Sequence, residues 1–585
     1  MTDRAVHTEL DLAARVVELT RRLAGAHAEA EVVAAHSAEA LTRFANSAIH
    51  QNVADATTTV RLRLHVDGRT AGGSTTVTDA EGLRSLVERT LAAARLSPPD
   101  ASWPGLTPPT PLAPDAGFDE ATAGAGPRDR AARVRDFVEA AGGLETAGYC
   151  RTTYASGGFA NTLGQAVHGR VAEAAMDGIA RLAGADGMSR RATSRLADLH
   201  GAELGARAAA KARAGATPAE LPPGRYEVIL EPTAVADLLD NLATFGFNGK
   251  SYAQHQSFAE PGTQQFDEAI TLTDEPLGTI LPFDAEGTPR ATLTLVENGT
   301  TRAVSHDRTS AAETGTVSTG HGSAASRSWG PTAVNLRLAP AQPPAHDAGP
   351  TSAGASTPGP AHAAAGAGSS GPAHGTAGAG SSGPAHGTAG AGSSGPAHGT
   401  AGAGSSGPAH GTAGAGSSGP AHGTAGDGGP EAADRPASSP PGRPVAPTAA
   451  GPVVPTAASP VVPTAASPVV SSAAGPVVPS ARRLVAGMRR GLLVTDLWYT
   501  RVLDQKSLVV TGLTRNGVWL VEDGEIVAAV GNLRFTQSYP QALGPGAVLG
   551  IGTEAISLPD RWSGVRYTAP ALHLASWNFT GNASG

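Results

Sequence analysis

Residues 341 to 480 constrain this chain of 585 residues more than any other stretch, because they offer nothing from which to build a core. A twelve-residue unit, GAGSSGPAHGTA, repeats from Gly366 to Ala425 and sets His374, His386, His398, His410 and His422 in register. Units close to GPVVPTAA then begin at Gly451, Ser459, Ser467 and Gly475. Ordering such a chain costs roughly 1–2 kcal/mol per residue in backbone entropy. Gly, Ala, Ser and Pro supply almost no large apolar surface to offset that cost, and a solenoid would need side chains to stack. The segment reads as a long disordered insertion, and its histidines as passengers of repeat expansion rather than a weak zinc or nickel site. A long surface loop adds little closure entropy, so one domain can continue on either side of it.

Roughly 440 residues remain, enough for two domains with proper cores. The fold class reads as α+β. An N-terminal α/β-type domain spans 1–220, with subsections at about 1–98 and 127–220. A β-rich C-terminal domain is formed by 221–340 and 481–585, interrupted by the insertion. Leu12, Val16, Val17 and Leu23 recur at helical spacing. Thr58 to Val66 alternates as a half-buried strand, with Thr70 to Thr78 as its hairpin partner across Asp67-Gly68. Thr78 and Glu81 read as a capping box opening the helix of Leu83, Leu86, Val87 and Leu91. Ser97 to Pro114 reads as a linker, 128–141 and 196–214 as helices, and 145–153 and 166–175 as strands. Arg225 to Leu230 is a strand leading to a helix over Thr233 to Phe245. Leu492 to Tyr499, Leu508 to Thr511 and Val518 to Val530 are strands, the last folded at Asp523-Gly524.

The net charge of −8 and pI near 6.1, with no basic face, argue against nucleic acid as a partner. Met1 to Leu23 interleaves charges with apolar residues where a signal peptide needs an apolar run, and the Val-rich stretch 453–478 is broken by proline. No membrane association and a cytoplasmic location are therefore expected. The single Cys150 fits a reducing compartment and reads as a small strand residue rather than a reactive thiol.

Catalytic spacings are missing: the sequence has no HExxH, HExxxH, GxSxG, Walker loop or GxGxxG after a strand. Asp284 and Glu286 could form an acid pair, but loop carboxylates more often cap backbone amides. His321 reads first as a turn histidine, with a substrate-facing role as the alternative. Thr511 and Arg515 are candidates to meet a peptide carboxylate or backbone, Arg515 being equally suited to pin its loop.

Several segments together resemble the TldD/PmbA family. Arg43-Phe44-Ala45-Asn46 with Ile49 and Gln51 is similar to its N-terminal signature. Arg225 to Pro232 (RYEVILEP) resembles the strand before its central helix, Phe283 to Gly287 its FDDEG segment, and Glu297-Asn298-Gly299 its ENG turn. Thr316 to His321 with Asn335-Leu336, Thr511 to Gly517, and Asn532 to Phe535 follow in the family's order. The resemblance covers nearly everything outside the insertion. It implies that TldD-type subunits carry HExxxH on the central helix and complete a zinc site with a C-terminal cysteine. Here Asp240, Asn241 and Phe245 stand at the two histidine positions and the glutamate position, and no cysteine lies in 569–579. The chain thus resembles the TldE/PmbA-type subunit. The expectation is no catalytic or metal residue and no cofactor in this chain, with zinc in a TldD-type partner and peptide or unfolded protein as substrate. The rival expectations are an autonomous peptide hydrolase around Asp284, Glu286 and His321, and a stand-alone peptide-binding scaffold.

Overall fold

The computed structural model describes residues 8–114, 117–341, 475–559 and 566–583. All belong to one unit, Met1–Asp347 with Pro468–Gly585. The expected disordered insertion falls, from residue 342 to 474, outside the described residues, and so do the five in-register histidines.

The N-terminal part is built on one antiparallel sheet of β1 (Glu29–Ala45), β2 (Ala48–Val66), β3 (Arg69–Thr75), β4 (Glu145–Asn161), β5 (Ala166–Leu182) and β6 (Ala185–Thr193), in the order β3-β2-β1-β4-β5-β6. The β1–β4 ladder runs from Glu31↔Asn161 to Phe44↔Gly148, so the two subsections read from sequence share this sheet. Its even-numbered β1 face is covered by helices. α1 (Thr8–Ala24) and α2 (Ala80–Leu96) bury Leu12, Val16, Leu86 and Val87 against Val32, Val60 and Leu62. After α3 (Glu120–Ala123), α4 (Pro127–Ala140) and α5 (Gly201–Ala214) pack Phe137, Leu204 and Ala208 on Phe44, Cys150 and Met176. Gly205 permits the α4–α5 crossing, since a Cβ there would stand 2.1 Å from the Phe137 carbonyl oxygen. The opposite face of the sheet turns Glu31, Arg63, Phe159 and Glu173 toward the C-terminal part.

There, β7 (Gly224–Leu230) runs into α6 (Pro232–Asn241). A second six-stranded sheet comprises β8 (Leu272–Asp274), β9 (Leu293–Glu297), β10 (Thr300–Thr301), β11 (Asn335–Leu338), β17 (Ile556–Pro559) and β18 (Arg566–Ala569). The third sheet combines β7 with β12 (Arg490–Asp504), β13 (Val509–Glu522), β14 (Glu525–Val530), β15 (Leu533–Ser538), β16 (Val548–Ile551) and β19 (Leu572–Asn582). Because β12 pairs with β13 as well as β7, the path β12-β7-β19-β15-β13 closes on itself as a barrel. Closure leaves these strands no free edge, the liability of open sheets. Trp577, Phe535, Leu230 and Val494 fill the core.

Several expectations change in detail. The cap of α2 is Asp79, whose carboxylate accepts the Gly82 N–H (2.8 Å), not Thr78. The 196–214 helix is broken into a short turn and α5, and the strand expected over 145–153 continues to Asn161. The expected linker 97–114 is pinned between the domains: Thr107 donates to the Glu286 carbonyl (2.7 Å) and accepts at its own carbonyl from Asn161 (2.7 Å). The insertion, read as ending at 480, is already structured by Val478, which is buried ahead of the helix Pro479–Gly487. Both its ends meet at Gly552, whose carbonyl accepts the Ala341 N–H and where a Cβ would lie 2.5 Å from the Ser480 carbonyl oxygen. The resulting architecture is α+β, with a helix-backed N-terminal sheet and a β-rich C-terminal region.

Candidate functional site

The central helix α6 follows β7 directly, with Pro232 at its first turn, where a missing N–H costs nothing. Glu231 before it is fully buried and its carboxylate does not cap the helix. It pairs instead with Lys211 of α5 and accepts the Val478 N–H (3.2 Å). Burial holds the Lys211 ammonium below the usual lysine range, against the opposing pull of Glu231. One carboxylate thus ties the start of α6 to the N-terminal domain and to the chain emerging from the insertion.

The next turns of α6 are occupied by protein. Tyr567 donates to Asp240 Oδ1 (2.5 Å). Asp237, one turn earlier, accepts from Thr500 (2.9 Å) and from Tyr539 (3.3 Å). Burial, with the charges of Asp237 and Asp240, drives the Tyr539 phenol well above its ordinary range. Asn241 is buried and donates back to the Asp237 carbonyl (2.9 Å), and Phe245 packs on the main core. A zinc ion needs several nitrogen, sulfur or oxygen donors converging in a tetrahedron. Here one position is a phenyl ring, one an amide engaged with its own helix, and one a carboxylate held by a tyrosine. This donor set does not fit zinc. Among the described residues, no three His, Cys, Asp or Glu side chains group as a metal site.

One property of a metal helix is nonetheless present. After Asn241 the helix widens into a single π-helical turn, Leu242–Gly246, with the Phe247 N–H bonded to the Leu242 carbonyl (2.8 Å). In an α-helix, residues five apart point about 140° away from each other (five steps of about 100°), whereas residues four apart share a face. A π turn inserts one residue, so i+5 takes the place of i+4; such turns occur often at functional sites. A HExxxH motif, with its histidines five apart, needs that widening. In this chain position 240 precedes the turn and position 245 lies within it, so the widened backbone is present without the ligands.

Asp284, Glu286 and His321, the other candidates, lie together at the interface between the domains and are buried. Asp284 Oδ1 accepts the Glu286 and Thr288 N–H groups (2.9 Å each), and Oδ2 accepts that of Gly322 (2.7 Å). Glu286 accepts the Arg308 N–H (2.8 Å) and pairs with Arg63 (3.2 Å) and the Arg308 guanidinium (3.3 Å). Glu31 of β1 shares both arginines, which lie over the Trp103 ring at 4.6 Å and 5.7 Å. His321 contacts Asp274 (3.0 Å) through Nε2 and Thr319 (2.8 Å) through Nδ1, its side chain fully enclosed. These groups hold the loops and the domain junction together.

Desolvation raises the Glu31 carboxyl from 4.5 to about 7, against the pull of Arg308 and Arg63, and raises Asp284 to about 6. An acid whose pKa is higher folded than unfolded retains its proton preferentially in the folded state. Its contribution is therefore present in full below the unfolded pKa and lost as pH rises through the folded one. For Glu31 that window runs from about 4.5 to about 7 and the loss is about 3 kcal/mol, at ~1.4 kcal/mol per pKa unit. Denaturation midpoints across this window should fall with pH in the wild type and fall less in Glu31→Gln. Equal slopes would refute the assignment.

Thr511 donates to the Phe535 carbonyl (2.8 Å) and is half-buried, so its hydroxyl secures the β13–β15 ladder. Arg515 is exposed and lies over the Trp498 ring (4.9 Å), beside Tyr499, which is 64% exposed with φ +55° and stacks against Arg501 (4.5 Å). Positive φ is costly for an aromatic residue, and it arises where β12 bulges between Trp498 and Arg501, turning Thr500 inward to Asp237. Sequence reasoning missed Asp237, Tyr539, Tyr567 and Thr500, which come from four separate segments. Cys150 is buried on β4, and burial pushes its thiol up to about 12, leaving it unreactive. A groove of about 1000 Å³ between α1 and α2, rimmed by Arg15, Glu18, Arg22 and Arg84, is remote in sequence from α6 and brings no convergent chemistry. Among the described residues, no helix is long and apolar enough to cross a membrane.

Comparison with known proteins gives the same frame. The sequence matches the family described as PmbA/TldA metallopeptidase C-terminal domain over residues 223–348 and 447–581, and its domain 1 over residues 30–94. No curated protein matches the chain. TldE from Thermococcus kodakarensis superposes with a TM-score of 0.67 at 14% identity, covering 97% of this chain and 100% of that one. A putative modulator of a DNA gyrase from Thermotoga maritima gives a TM-score of 0.64 at 15% identity, covering 97% and 99%. Another, from Bacteroides thetaiotaomicron, gives 0.64 at 13%, covering 99% of each chain. At these identities the likeness concerns the fold. With domain 1 matched first and the C-terminal domain matched in two stretches on either side of the repeats, together over more than half of the chain, the chain belongs to the PmbA/TldD metallopeptidase family.

Proposed function

We propose that this chain is the metal-free, TldE/PmbA-like subunit of a TldD-type zinc metallopeptidase complex acting in proteolysis or peptide maturation. The observation that carries the reading is α6: a π turn that would suit an i, i+5 ligand pair is present, while Asp240, Asn241 and Phe245 are committed to tyrosine, backbone and core. A subunit of this kind contributes walls and peptide-facing strands to a chamber whose zinc is held by the partner. Arg515, beside Trp498 and Tyr499 on the exposed side of the β12–β13 ladder, is its best-placed group to meet a peptide. His321 and Thr511 are turned to structural partners. The reading carries with it a cytoplasmic location. The rival, an autonomous hydrolase at Asp284, Glu286 and His321, is disfavoured because all three are buried and engaged.

The test is to purify the chain alone and together with a TldD-type protein, then assay zinc content and peptide cleavage. The lone chain should carry no stoichiometric zinc and cleave nothing, and the pair should cleave faster than the TldD-type protein alone. Zinc-dependent proteolysis by the lone chain would overturn the proposal.

A further inference from the structure

The outer face of the C-terminal barrel gathers positive charge in a chain whose net charge is −8. β13 alternates from Val510 to Arg515: Val510, Gly512 and Thr514 are buried, while Thr511, Leu513 and Arg515 turn outward. The register sets Trp498 of β12 and Arg534 of β15 on either side of Leu513, and Arg501 beside Thr511. Three exposed arginines, Arg501, Arg515 and Arg534, therefore surround an apolar step made by Trp498 and Leu513. Residues 498–503, 509–515 and 533–538, which build this face, include no Asp or Glu. The acids at its margins are engaged elsewhere. Asp496, opposite Arg515, turns to Arg190 (3.8 Å) and Asn516 (3.2 Å), and Asp504 accepts from Ser507. Among the described residues, none of the three arginines makes an ion pair or a side-chain hydrogen bond.

We infer that this face binds an extended acidic peptide carrying an acid, an apolar residue and a second acid at alternate positions. Arg515 lies over the Trp498 ring (4.9 Å) and Arg501 over that of Tyr499 (4.5 Å). A guanidinium stacked in this way is oriented by the ring, while its in-plane N–H groups stay available to a carboxylate. Arg515 and Arg501 stand four residues along β13 and one strand across from each other, about 14 Å between Cα atoms. An extended peptide puts residues i, i+2 and i+4 on one face and covers about 14 Å in those four steps. One carboxylate then meets Arg515 and the other Arg501. The apolar side chain between them rests on Trp498 and Leu513, with Arg534 at its flank. A nucleic acid strand, charged at every nucleotide, would meet an acidic chain beyond these three arginines. This substrate class rests on the peptide-facing role proposed above. Binding to the lone chain needs no metallopeptidase, so it can fail while the zinc and cleavage assay succeeds, and the reverse.

Calorimetric titration of the full chain with the peptide GSESLSESG, capped at both ends, should show binding. It should be at least about tenfold tighter than for GSKSLSKSG, where the charges are reversed, or GSEESLSSG, where the spacing is lost. Arg501→Glu and Arg515→Glu should each weaken it at least about tenfold, and exchanging one glutamate of the peptide for lysine should restore binding to Arg501→Glu. Arg95→Glu, the same change of charge at an exposed position on α2, should leave the affinity within about twofold. Equal binding of the lysine peptide by the wild type, or indifference to Arg515→Glu, overturns the arginine face. Equal binding of GSEESLSSG overturns the spacing. Tighter binding of a single-stranded DNA nonamer, lost in the same variants, overturns the peptide assignment in favour of nucleic acid.

Discussion

Replacing Arg308 by methionine should cost about 3–5 kcal/mol, the range found when one partner is taken from a buried ion pair. Arg308 is the hub of the junction between the domains. Its guanidinium pairs with Glu31 of the N-terminal sheet and Glu286 of the C-terminal part and donates to the Gly105 carbonyl of the intervening segment. Without it, two buried carboxylates share only Arg63, which is partly exposed. The penalty comes from leaving charge in a poorly solvated place, so it should be relieved by removing the charge. Arg308→Met combined with Glu31→Leu should recover at least half the loss, because Glu286 and Arg63 remain a matched pair. Chemical denaturation followed by probes in each domain would measure both. A single variant within about 1 kcal/mol of wild type would show that the junction does not depend on this cluster.

A second large effect is expected at α6. Histidines placed at 240 and 245 should bind Co²⁺ or Zn²⁺ at least about tenfold more tightly than histidines at 240 and 244, a difference of ~1.4 kcal/mol or more. An unbroken α-helix predicts the reverse order, since i, i+4 residues share its face and i, i+5 residues do not. The π turn over Leu242–Gly246 is what inverts it. Both pairs remove Asp240, so loss of the Tyr567 contact is common to them and cancels in the comparison. Cobalt absorption during titration reads the coordination directly. Preference for the 240/244 pair would mean that the turn relaxes to α-helix once Phe245 is free to vary.

Much of the fold was legible because strict alternation leaves few choices. Thr58 to Val66, Arg225 to Leu230 and the Asp523-Gly524 hairpin carry period-two patterns that become β2, β7 and the β13–β14 turn. β1 was not legible. Its Ala, Ser and Glu have poor strand propensity, and what holds them extended is pairing with β2 on one side and β4, more than a hundred residues later, on the other. The π turn gave no signal either, since nothing in Leu242-Ala243-Thr244-Phe245-Gly246 departs from an ordinary helix by propensity. For Asp284, the capping of backbone amides anticipated from its loop setting is found in the structure. The partnership of Glu286 with Arg63 and Glu31 joins residues 223 and 255 positions apart, and no local pattern could reveal it.

The sequence by itself determined what chemistry α6 can lack. A ligand atom that is not encoded cannot be supplied by folding, so the missing HExxxH and the missing cysteine in 569–579 could be read directly. Only the tertiary structure decided how the residues standing there are used: Asp240 on Tyr567, Asp237 on Thr500 and Tyr539, Glu231 on Lys211. It also decided which strands close a barrel. The reason is physical. Periodicity along a chain reports which face of an element is buried, whereas the partner that buries it is set by pairings between segments distant in sequence.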